Sequence, residues 1–469
     1  MKLCELFENV NNNLPISGLA FDTKNLKKGY VFFCLSGTAR DGRDFAFMAE
    51  EKGAACLVVE KEVPGIHIPQ ILVKNARAAL CEAASKFYGE PSKKLKFVGI
   101  TGTNGKTTTC FIIKKILEQA GEKVGLFGTN GTYIGGRRYK SDLTTPDPIY
   151  FHEMLAKMVK QNVSYVVMEV SAHALALDKL QGITFEVGAI SNITQDHLDF
   201  FKTMENYQNT KLSFFNQVKT AVVNIDDERC KQGISKINVP IVTYGLYSPA
   251  ECFAVDIVKK LSGSNFVLNI LDNVYIASTR LVGEFNIYNA LCASTVCALL
   301  GVSGKNIISG LKKINPPLGR FNVVHLSEDI SAVVDFAHTP DGIEKVLKTI
   351  KEVSIGKVVC VFGCGGNRDK TKRPLMGKLA EELADFVVLT SDNPRYEEPM
   401  DIIHDIEGGM MKENHVIVEN REEAIRKAIE IASDGGVIAV LGKGAESYQE
   451  TMGEKKPYSD FTALEEAYE

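Results

Sequence analysis

Leu95-Lys96-Phe97-Val98-Gly99-Ile100-Thr101-Gly102-Thr103-Asn104-Gly105-Lys106-Thr107-Thr108 carries a strand, a loop and a helix start in succession. The first six residues form a short apolar run suited to a buried parallel strand. Glycines at 102 and 105 let the backbone curl so that successive N–H groups face phosphate oxygens. Lys106 supplies a point charge, Thr107 can hold Mg²⁺, and a helix-like run over 108–119 adds the favourable dipole of its N-terminus. The strict Walker A spacing is not met, because the position five before Gly105 is Ile100. An ordinary glycine turn before a helix is the bland alternative. Gly-Lys-Thr-Thr in a strand–loop–helix context points instead to a nucleotide site made of Gly102, Thr103, Asn104, Gly105, Lys106, Thr107 and Thr108.

Outward from this loop the pattern is an alternation of strands and helices. Strand-like runs follow at 165–170, 187–191 and 221–224 with helix-like segments between them, which predicts a parallel sheet flanked by helices. The run 267–278 reads as a hairpin excursion near the end of this unit. Past Pro316-Pro317-Leu318-Gly319 the alternation restarts, with strand candidates at 332–336, 358–362, 386–390, 415–419 and 437–441 and helical patterns at 374–384 and 421–432. Upstream, strands at 29–35 and 55–59 mix with polar helix-like segments until Gly89-Glu90-Pro91-Ser92 breaks regular structure. The expectation is an α/β chain of three domains: a small N-terminal α/β domain (1–92), a central domain with a P-loop-type parallel sheet (93–318) and a Rossmann-like C-terminal domain (319–469).

Bulk properties agree with this. A chain of 469 residues is too long for one core. A net charge of −4 lacks the basic excess expected of a chain that binds nucleic-acid phosphates. The eleven cysteines are scattered, with no C-x-x-C and no His/Cys cluster at zinc spacing. Nothing resembles a signal peptide and no apolar run reaches transmembrane length, so reduced thiols in the cytoplasm and no membrane insertion are expected.

Two further motifs fall just after strand-like runs, where ligand sites of open α/β sheets gather. They are Met168-Glu169-Val170-Ser171-Ala172-His173 and Asn192-Ile193-Thr194-Gln195-Asp196-His197. Glu169 offers an oxygen ligand for Mg²⁺ and His197 could join a second metal. Taken singly, either could be a helix cap or a core hydrogen-bonding residue. Their joint occurrence behind one phosphate loop favours the functional reading.

The wording Gly-Thr-Asn-Gly-Lys-Thr-Thr, with Asn104 before the second glycine, resembles the Mur ligase family and its folylpolyglutamate synthetase relatives more than GTPases or helicases. Similar pieces follow in the same order: Gly283-Glu284-Phe285-Asn286-Ile287-Tyr288-Asn289, Gly319-Arg320-Phe321 and Val334-Asp335-Phe336-Ala337-His338-Thr339-Pro340-Asp341. The resemblance covers essentially the whole length. It implies an ATP-dependent amide-bond-forming ligase using ATP and Mg²⁺. Lys106, Glu169, His197 and Lys211 would be catalytic, Asn286, Arg320, Asp335 and His338 would complete the ATP site, and Thr107, Glu169, His197 and a carbamylated Lys211 would serve the metal. From residue chemistry alone Lys211 is a solvated helix lysine. The carbamate, an anion that can sit beside Mg²⁺, comes only from the resemblance.

The same resemblance implies substrates. Phe21 and Thr23, with Thr38, Ala39 and Arg40, match the uridine-nucleotide segments, and Thr144, Thr145, Ser171 and Lys179 match the muramoyl-peptide contacts. Thr38-Ala39-Arg40 departs from the family's polar triplet, and Lys179 stands where relatives carry Arg. Asp392-Asn393-Pro394-Arg395 is similar to the members that add meso-diaminopimelate to UDP-N-acetylmuramoyl-L-alanyl-D-glutamate. A planar guanidinium at 395 can fork onto the distal carboxylate. Arg368, Gly442 and Glu446 are the other matching residues, with Asn367 and Ala445 departing from the usual Asp and His. A lysine-adding relative is the nearest alternative, and a P-loop NTPase switch is one from a different class. A dinucleotide reading of Gly363-x-Gly365 fails because position 368 is Arg. A monomer without a nucleic-acid partner is expected.

Overall fold

The computed structural model describes every residue except 8, 9, 11, 38–40, 142, 261, 328, 433, 434 and 469. The chain divides into two compact units. The first comprises Met1–Gly99, Glu122–Glu186 and Asn216–Lys219, and the second Ile100–Gly121, Val187–Phe215 and Thr220–Glu469.

Within the first unit, strands Gly18–Ala20, Tyr30–Phe33, Cys56–Val59 and Gln70–Leu72 lie side by side in chain order, all parallel. Parallel sheets need cover on both faces. Val31, Phe33, Cys56 and Val58 pack with Leu80, Ala83 and Ala84 of helix Ala76–Phe87, while Phe32, Leu57 and Val59 pack with Ala46 and Ala49. Asn75 starts the longer helix by accepting from Arg77 N and Ala78 N, an N-cap suited to a short amide side chain.

The same unit holds strand Val124–Gly128, which pairs parallel with Tyr165–Glu169 and antiparallel with Gly131–Ile134; Arg137–Tyr139 extends the meander. Helix Pro148–Lys160 buries Phe151, Leu155 and Met158, with the Phe151 ring 4.9 Å from that of Phe127.

The second unit contains the phosphate loop and helix Lys106–Gln119. Helix Gly304–Lys313 approaches that helix so closely that a Cβ on Gly310 would lie 2.6 Å from Ile116 Cγ1. Strands Val218–Asn224, Ile241–Gly245 and Cys252–Lys260 run parallel. The expected hairpin is a larger excursion: Cys252–Lys260, Gly263–Ile270 and Asn273–Thr279 form an antiparallel three-strand ribbon with a bulge between Val255 and Val258.

The last sheet has the spatial order Asn322–His325, Ser331–Asp335, Val437–Leu441, Val358–Phe362, Phe386–Leu389, His415–Ile417, and only its first pair is antiparallel. Alternate residues face opposite cores. Val333, Cys360, Phe362 and Ala439 pack with helices Pro340–Val353, Lys372–Leu383 and Pro399–Glu407. Val334, Val361 and Val440 pack with Arg421–Ile431 and Asp460–Tyr468. Val437–Leu441 is inserted between two strands that precede it in sequence, so the connections switch face there. The crevice beyond the carboxyl ends of Ser331–Asp335, Val437–Leu441, Val358–Phe362 and Phe386–Leu389 is where such a sheet takes a ligand. The whole is an α/β chain built on parallel sheets.

Candidate active site

Glu169 ends its strand fully buried, and its carboxylate accepts from Thr129 N at 2.8 Å and Thr129 Oγ1 at 3.1 Å. A Cβ on Gly128 would come within 2.2 Å of Glu169 Oε1, so glycine there is what lets the carboxylate sit against the neighbouring strand. Thr144 Oγ1 lies 3.1 Å from Thr129 Oγ1. Thr145 donates to Glu169 O at 2.8 Å and accepts from Ser171 N at 3.0 Å, while Ser171 caps the short helix Ala172–Ala176. Thr144, Thr145, Glu169 and Ser171 are thus one hydrogen-bonded cluster in the first unit. Lys179 is paired with Asp147 at 2.7 Å, so a carboxylate ligand there would meet a lysine that already has an anionic partner. Phe21 packs against the N-terminal core, and Thr23 O accepts from Lys52 Nζ at 2.6 Å. Thr38, Ala39 and Arg40 lie outside the described residues.

In the second unit the phosphate loop is held in place from several directions. Gly102 and Gly105 have φ of +134° and +88°, a region open to glycine at little cost. Asn192 O accepts from Thr103 N at 2.8 Å, and Asn192 Oδ1 accepts from Asn104 N at 2.9 Å. Asn104 O accepts from Ser191 Oγ at 2.6 Å, and Asn104 Nδ2 donates to Asp341 Oδ2 at 2.6 Å. Lys106 Nζ folds back to donate to Gly102 O and Thr103 O, each at 2.8 Å. Thr107 Oγ1 accepts from an Arg320 guanidinium nitrogen at 3.1 Å, and Thr108 is buried in the first helical turn.

Lys211 overturns the reading of a solvated helix lysine. It is 1 % exposed, donates to Gly102 O at 2.8 Å and lies 4.5 Å above the Tyr207 ring. Its amine is held well below the usual lysine range, first by burial and then by the charge of Lys106. The polar helix Met204–Leu212 inserts Tyr207, Gln208 and Lys211 as one buried face. Asp196 gathers His197 Nε2 at 3.2 Å, Lys372 Nζ at 3.6 Å and His338 Nε2 at 3.8 Å. Burial opposes its ionisation, but the His338 hydrogen bond and the charges of His197 and Lys372 outweigh that and hold its carboxyl well below the usual range. Asn286 reaches the phosphate loop through Asn289: Asn289 Nδ2 donates to Asn286 Oδ1 at 3.0 Å, and Asn289 Oδ1 would lie 2.3 Å from a Cβ on Gly105. Asp335 accepts from Phe321 N at 2.8 Å, and burial raises its carboxyl against the opposing charge of Arg320.

At the crevice of the last sheet the amino-acid candidates do come together. Asn393 Nδ2 donates to Glu446 Oε2 at 2.8 Å, and Asn393 Oδ1 accepts from the fully buried Lys443 at 2.9 Å. Asp392 accepts from Asn393 N at 2.7 Å, and Gly442, with φ of +110°, leaves room for Asp392 Oδ2, 2.8 Å from where its Cβ would be. Pro394 O would lie 1.9 Å from a Cβ on Gly366, so the two loops touch. Arg395 donates to Gly366 O at 2.8 Å. The Arg368 guanidinium is lowered by burial and by the charge of Arg395. Among the described residues no three His, Cys, Asp or Glu side chains gather as a metal site.

Sequence reasoning did not assign Asn192, Asp196, Asp341, Lys372, Lys443, Glu397 or Glu450. Glu397 takes Arg373 and Lys370 at 3.0 and 2.9 Å and Asn367 N, which fixes the 365–368 loop. The Arg373 bond is the foremost cause that pulls its carboxyl down to about 2. Asn192, Asp196 and Asp341 stood in the quoted motifs. Glu397 lay beside the matched residues 392–395 and Lys443 between Gly442 and Glu446, while Lys372 and Glu450 lay in stretches whose spacing carries no signal for a partner loops away.

A P-loop-type site behind a parallel sheet, joined to a doubly wound sheet with a charged crevice, defines an ATP-handling α/β enzyme with a second, polar substrate. The comparisons give the family. Family models described as Mur ligase family, catalytic domain; Mur ligase middle domain; and Mur ligase, glutamate ligase domain match residues 15–88, 100–297 and 319–444. The chain belongs to the Mur ligase family. It is 44 % identical over 447 residues to the UDP-N-acetylmuramoyl-L-alanyl-D-glutamate--2,6-diaminopimelate ligase of Clostridium tetani, covering 94 % of this chain and 92 % of that one. It is 42 % identical over 454 residues to the ligase of the same name from Aquifex aeolicus, covering 96 % and 93 %. A solved structure of a ligase of that name superposes with a TM-score of 0.70 at 28 % identity, covering 100 % of this chain and 98 % of the other.

Proposed function

We propose that the chain is a cytoplasmic ATP-dependent ligase of peptidoglycan synthesis that adds meso-diaminopimelate to the D-glutamate γ-carboxylate of UDP-N-acetylmuramoyl-L-alanyl-D-glutamate. The observation that carries this reading is the Asp392-Asn393-Pro394-Arg395 turn at the crevice of the last sheet, with Arg368 and Arg395 flanking Gly365. Diaminopimelate has a second α-amino acid end, and paired guanidinium groups suit its carboxylate.

The γ-carboxylate oxygen attacks the terminal phosphorus of ATP, ADP leaves, and an acyl phosphate forms. The incoming amine then attacks the acyl carbon, inorganic phosphate departs, and the amine loses its proton. Lys106, the N–H groups of the phosphate loop and Arg320 would bind and orient the nucleotide's phosphates. Asn286, Asp335 and His338 keep the nucleotide-site roles that the family resemblance assigns them. Phe21, Thr23, Thr38, Ala39 and Arg40 would hold the uridine nucleotide, and Thr144, Thr145, Ser171 and Lys179 the muramoyl peptide.

The family resemblance assigns Mg²⁺ to Thr107, Glu169, His197 and a carbamylated Lys211. By their chemistry Glu169 and Thr107 would offer oxygen and His197 nitrogen, and the burial that depresses the Lys211 amine favours the unprotonated form that CO₂ needs. When bound, the cation would neutralise phosphate charge. Purified protein supplied with ATP and the UDP-linked dipeptide should form an amide with meso-diaminopimelate far faster than with lysine. Preferential use of lysine would reassign the substrate, and phosphate release without any amide would point to an NTPase switch.

A further inference from the structure

The hairpin of Tyr448–Thr451 and Glu454–Pro457 clamps the backbone of Arg395. Arg395 N donates to Glu450 O at 3.0 Å, Met452 N donates to Arg395 O at 2.6 Å, and Arg395 bridges to Thr451. Between these bonds Arg395 is held at φ +54°, a conformation that a non-glycine residue adopts only when its surroundings impose it. The clamp aims the side chain. One guanidinium nitrogen donates to Gly366 O at 2.8 Å, and Nε faces Glu450 Oε2 at 3.5 Å. Both side chains are about one-fifth exposed (19 % and 20 %), so water screens the pair only in part.

The neighbouring charges single out Glu450. Arg395 stands close enough to Arg368 to disfavour the Arg368 charge, and Glu450 is among the carboxylates that offset this. Glu446 accepts from Asn393 and Lys443, and Glu397 from Arg373 and Lys370. Glu450 is the carboxylate paired with Arg395 among the described residues. At 3.5 Å that pair is looser than the 2.7–2.9 Å or so typical of a charge-assisted hydrogen bond. An incoming carboxylate that makes the tighter, forked bond can take its place.

We infer that Glu450 is a specificity-tuning residue, an internal carboxylate that occupies the Arg395 guanidinium until the distal carboxylate of the incoming amino acid displaces it. The inference rests on the assignment of this crevice to meso-diaminopimelate. An amino acid with no distal carboxylate leaves the Glu450–Arg395 pair intact. Glu450 therefore weakens binding of meso-diaminopimelate without weakening that of lysine, and it keeps the empty site from exposing an unpaired guanidinium.

Glu450→Gln keeps the backbone bonds to Arg395 and Asn393 and removes the charge. With ATP and the UDP-linked dipeptide saturating, its KM for meso-diaminopimelate should fall about two- to fivefold, the scale of a partly exposed ion pair, while kcat holds. The KM for lysine should not fall, and the gain should vanish when Arg395→Ala is the background. Glu450→Ala must shift the KM in the same direction, which guards against an effect peculiar to the amide. A rise in KM would assign Glu450 to gripping the substrate's ammonium and overturn the displacement. An equal fall for both amino acids, or a gain that survives in the Arg395→Ala background, overturns it as well. A wild-type enzyme that makes no diaminopimelate-dependent product removes the underlying assignment, a result distinct from the other three.

Discussion

Gly102→Ala tests the geometry of the phosphate loop directly. The backbone there has φ of +134°, outside the regions that L side chains favour, which costs about 1–3 kcal/mol. The added Cβ would lie 2.0 Å from Ser191 Oγ, 3.1 Å from Ser191 N and 3.2 Å from Asn192 N. The hydroxyl could rotate away only by surrendering its 2.6 Å bond to Asn104 O, worth about 1 kcal/mol. Crowding against the two backbone nitrogens would remain, at about 1–3 kcal/mol of overpacking. Together these reach about 3–7 kcal/mol, a large share of the roughly 5–15 kcal/mol that holds a protein folded.

The least costly relief is for the loop to leave its native course, which misplaces Asn104, Lys106 and the N–H groups behind them. The variant should therefore lose ATP-dependent amide formation by at least about a hundredfold, the scale of losing a major phosphate donor, while its unfolding midpoint falls moderately. Gly121→Ala is the matched control. It also has positive φ (+90°), but nothing lies within 4 Å of the added Cβ, so it should cost only about 1–2 kcal/mol and leave activity alone. Gly102→Ala combined with Ser191→Gly removes the nearest clash and should recover part of the loss. Urea unfolding and ATP titration of the four proteins decide the matter. If Gly102→Ala behaves like Gly121→Ala, the packing argument is wrong.

Two further outcomes follow from buried titratable groups. Lys211→Ala should lose at least about a hundredfold in turnover and recover partly when small carboxylic acids refill the anion position, and ¹³C-labelled bicarbonate should give a carbamate signal in wild type alone. Unaided wild-type turnover by the alanine variant would remove Lys211 from the chemistry. His152, buried in helix Pro148–Lys160 and lowered to about 4 by desolvation, stays neutral while the unfolded chain takes up a proton below its ordinary 6.5. Its contribution is therefore complete above about pH 6.5 and is lost as pH falls toward about 4, amounting to about 2 kcal/mol between pH 7 and 5. His152→Leu should flatten the pH dependence of the urea midpoint across that window, and parallel curves for the two proteins would refute the assignment.

Burial on both faces made some strands legible, but not all: Val124–Gly128 is buried throughout yet went unread, with two glycines interrupting its apolar run, while the half-buried His415–Ile417 was read. The runs at 358–362 and 437–441 coincide with strands Val358–Phe362 and Val437–Leu441 because every residue in them is apolar and buried. Gly18–Ala20 and Gln70–Leu72 span three residues each, too few for any periodicity, and Arg137–Tyr139 is a largely exposed strand with two arginines. The phosphate loop was legible because its glycines, lysine and threonines are contiguous. Its supports were not: Asn104 meets Asp341 across 237 residues, and Asp196 meets Lys372 from a different element. Lys211 shows the boundary most clearly. Its helix has no hydrophobic stripe, and only Tyr207, Gln208 and Lys211, spaced to share one face, betray that a polar side was turned inward.

One electrostatic logic joins these residues. Lys106 and Lys211 converge on the same carbonyl, Gly102 O, and Arg320 reaches Thr107 one residue after Lys106. Lys106 and Arg320 are the cations drawn onto this turn, and burial, with the charge of Lys106, disfavours a charge on Lys211. The fold tolerates this by giving each a neutral oxygen to donate to, so the turn remains electropositive. A nucleotide's phosphates would meet cations already held at the loop, with little reorganisation left to do. The buried Asp196 faces Lys372 and lies within reach of His197 and His338, and these three come from the second and third family-matched segments. Lys372 and Asp196, whose side chains are both 7 % exposed, offset each other's buried charge where the segments meet, so a neutral substitute for Asp196 would leave Lys372 buried without the anion it faces.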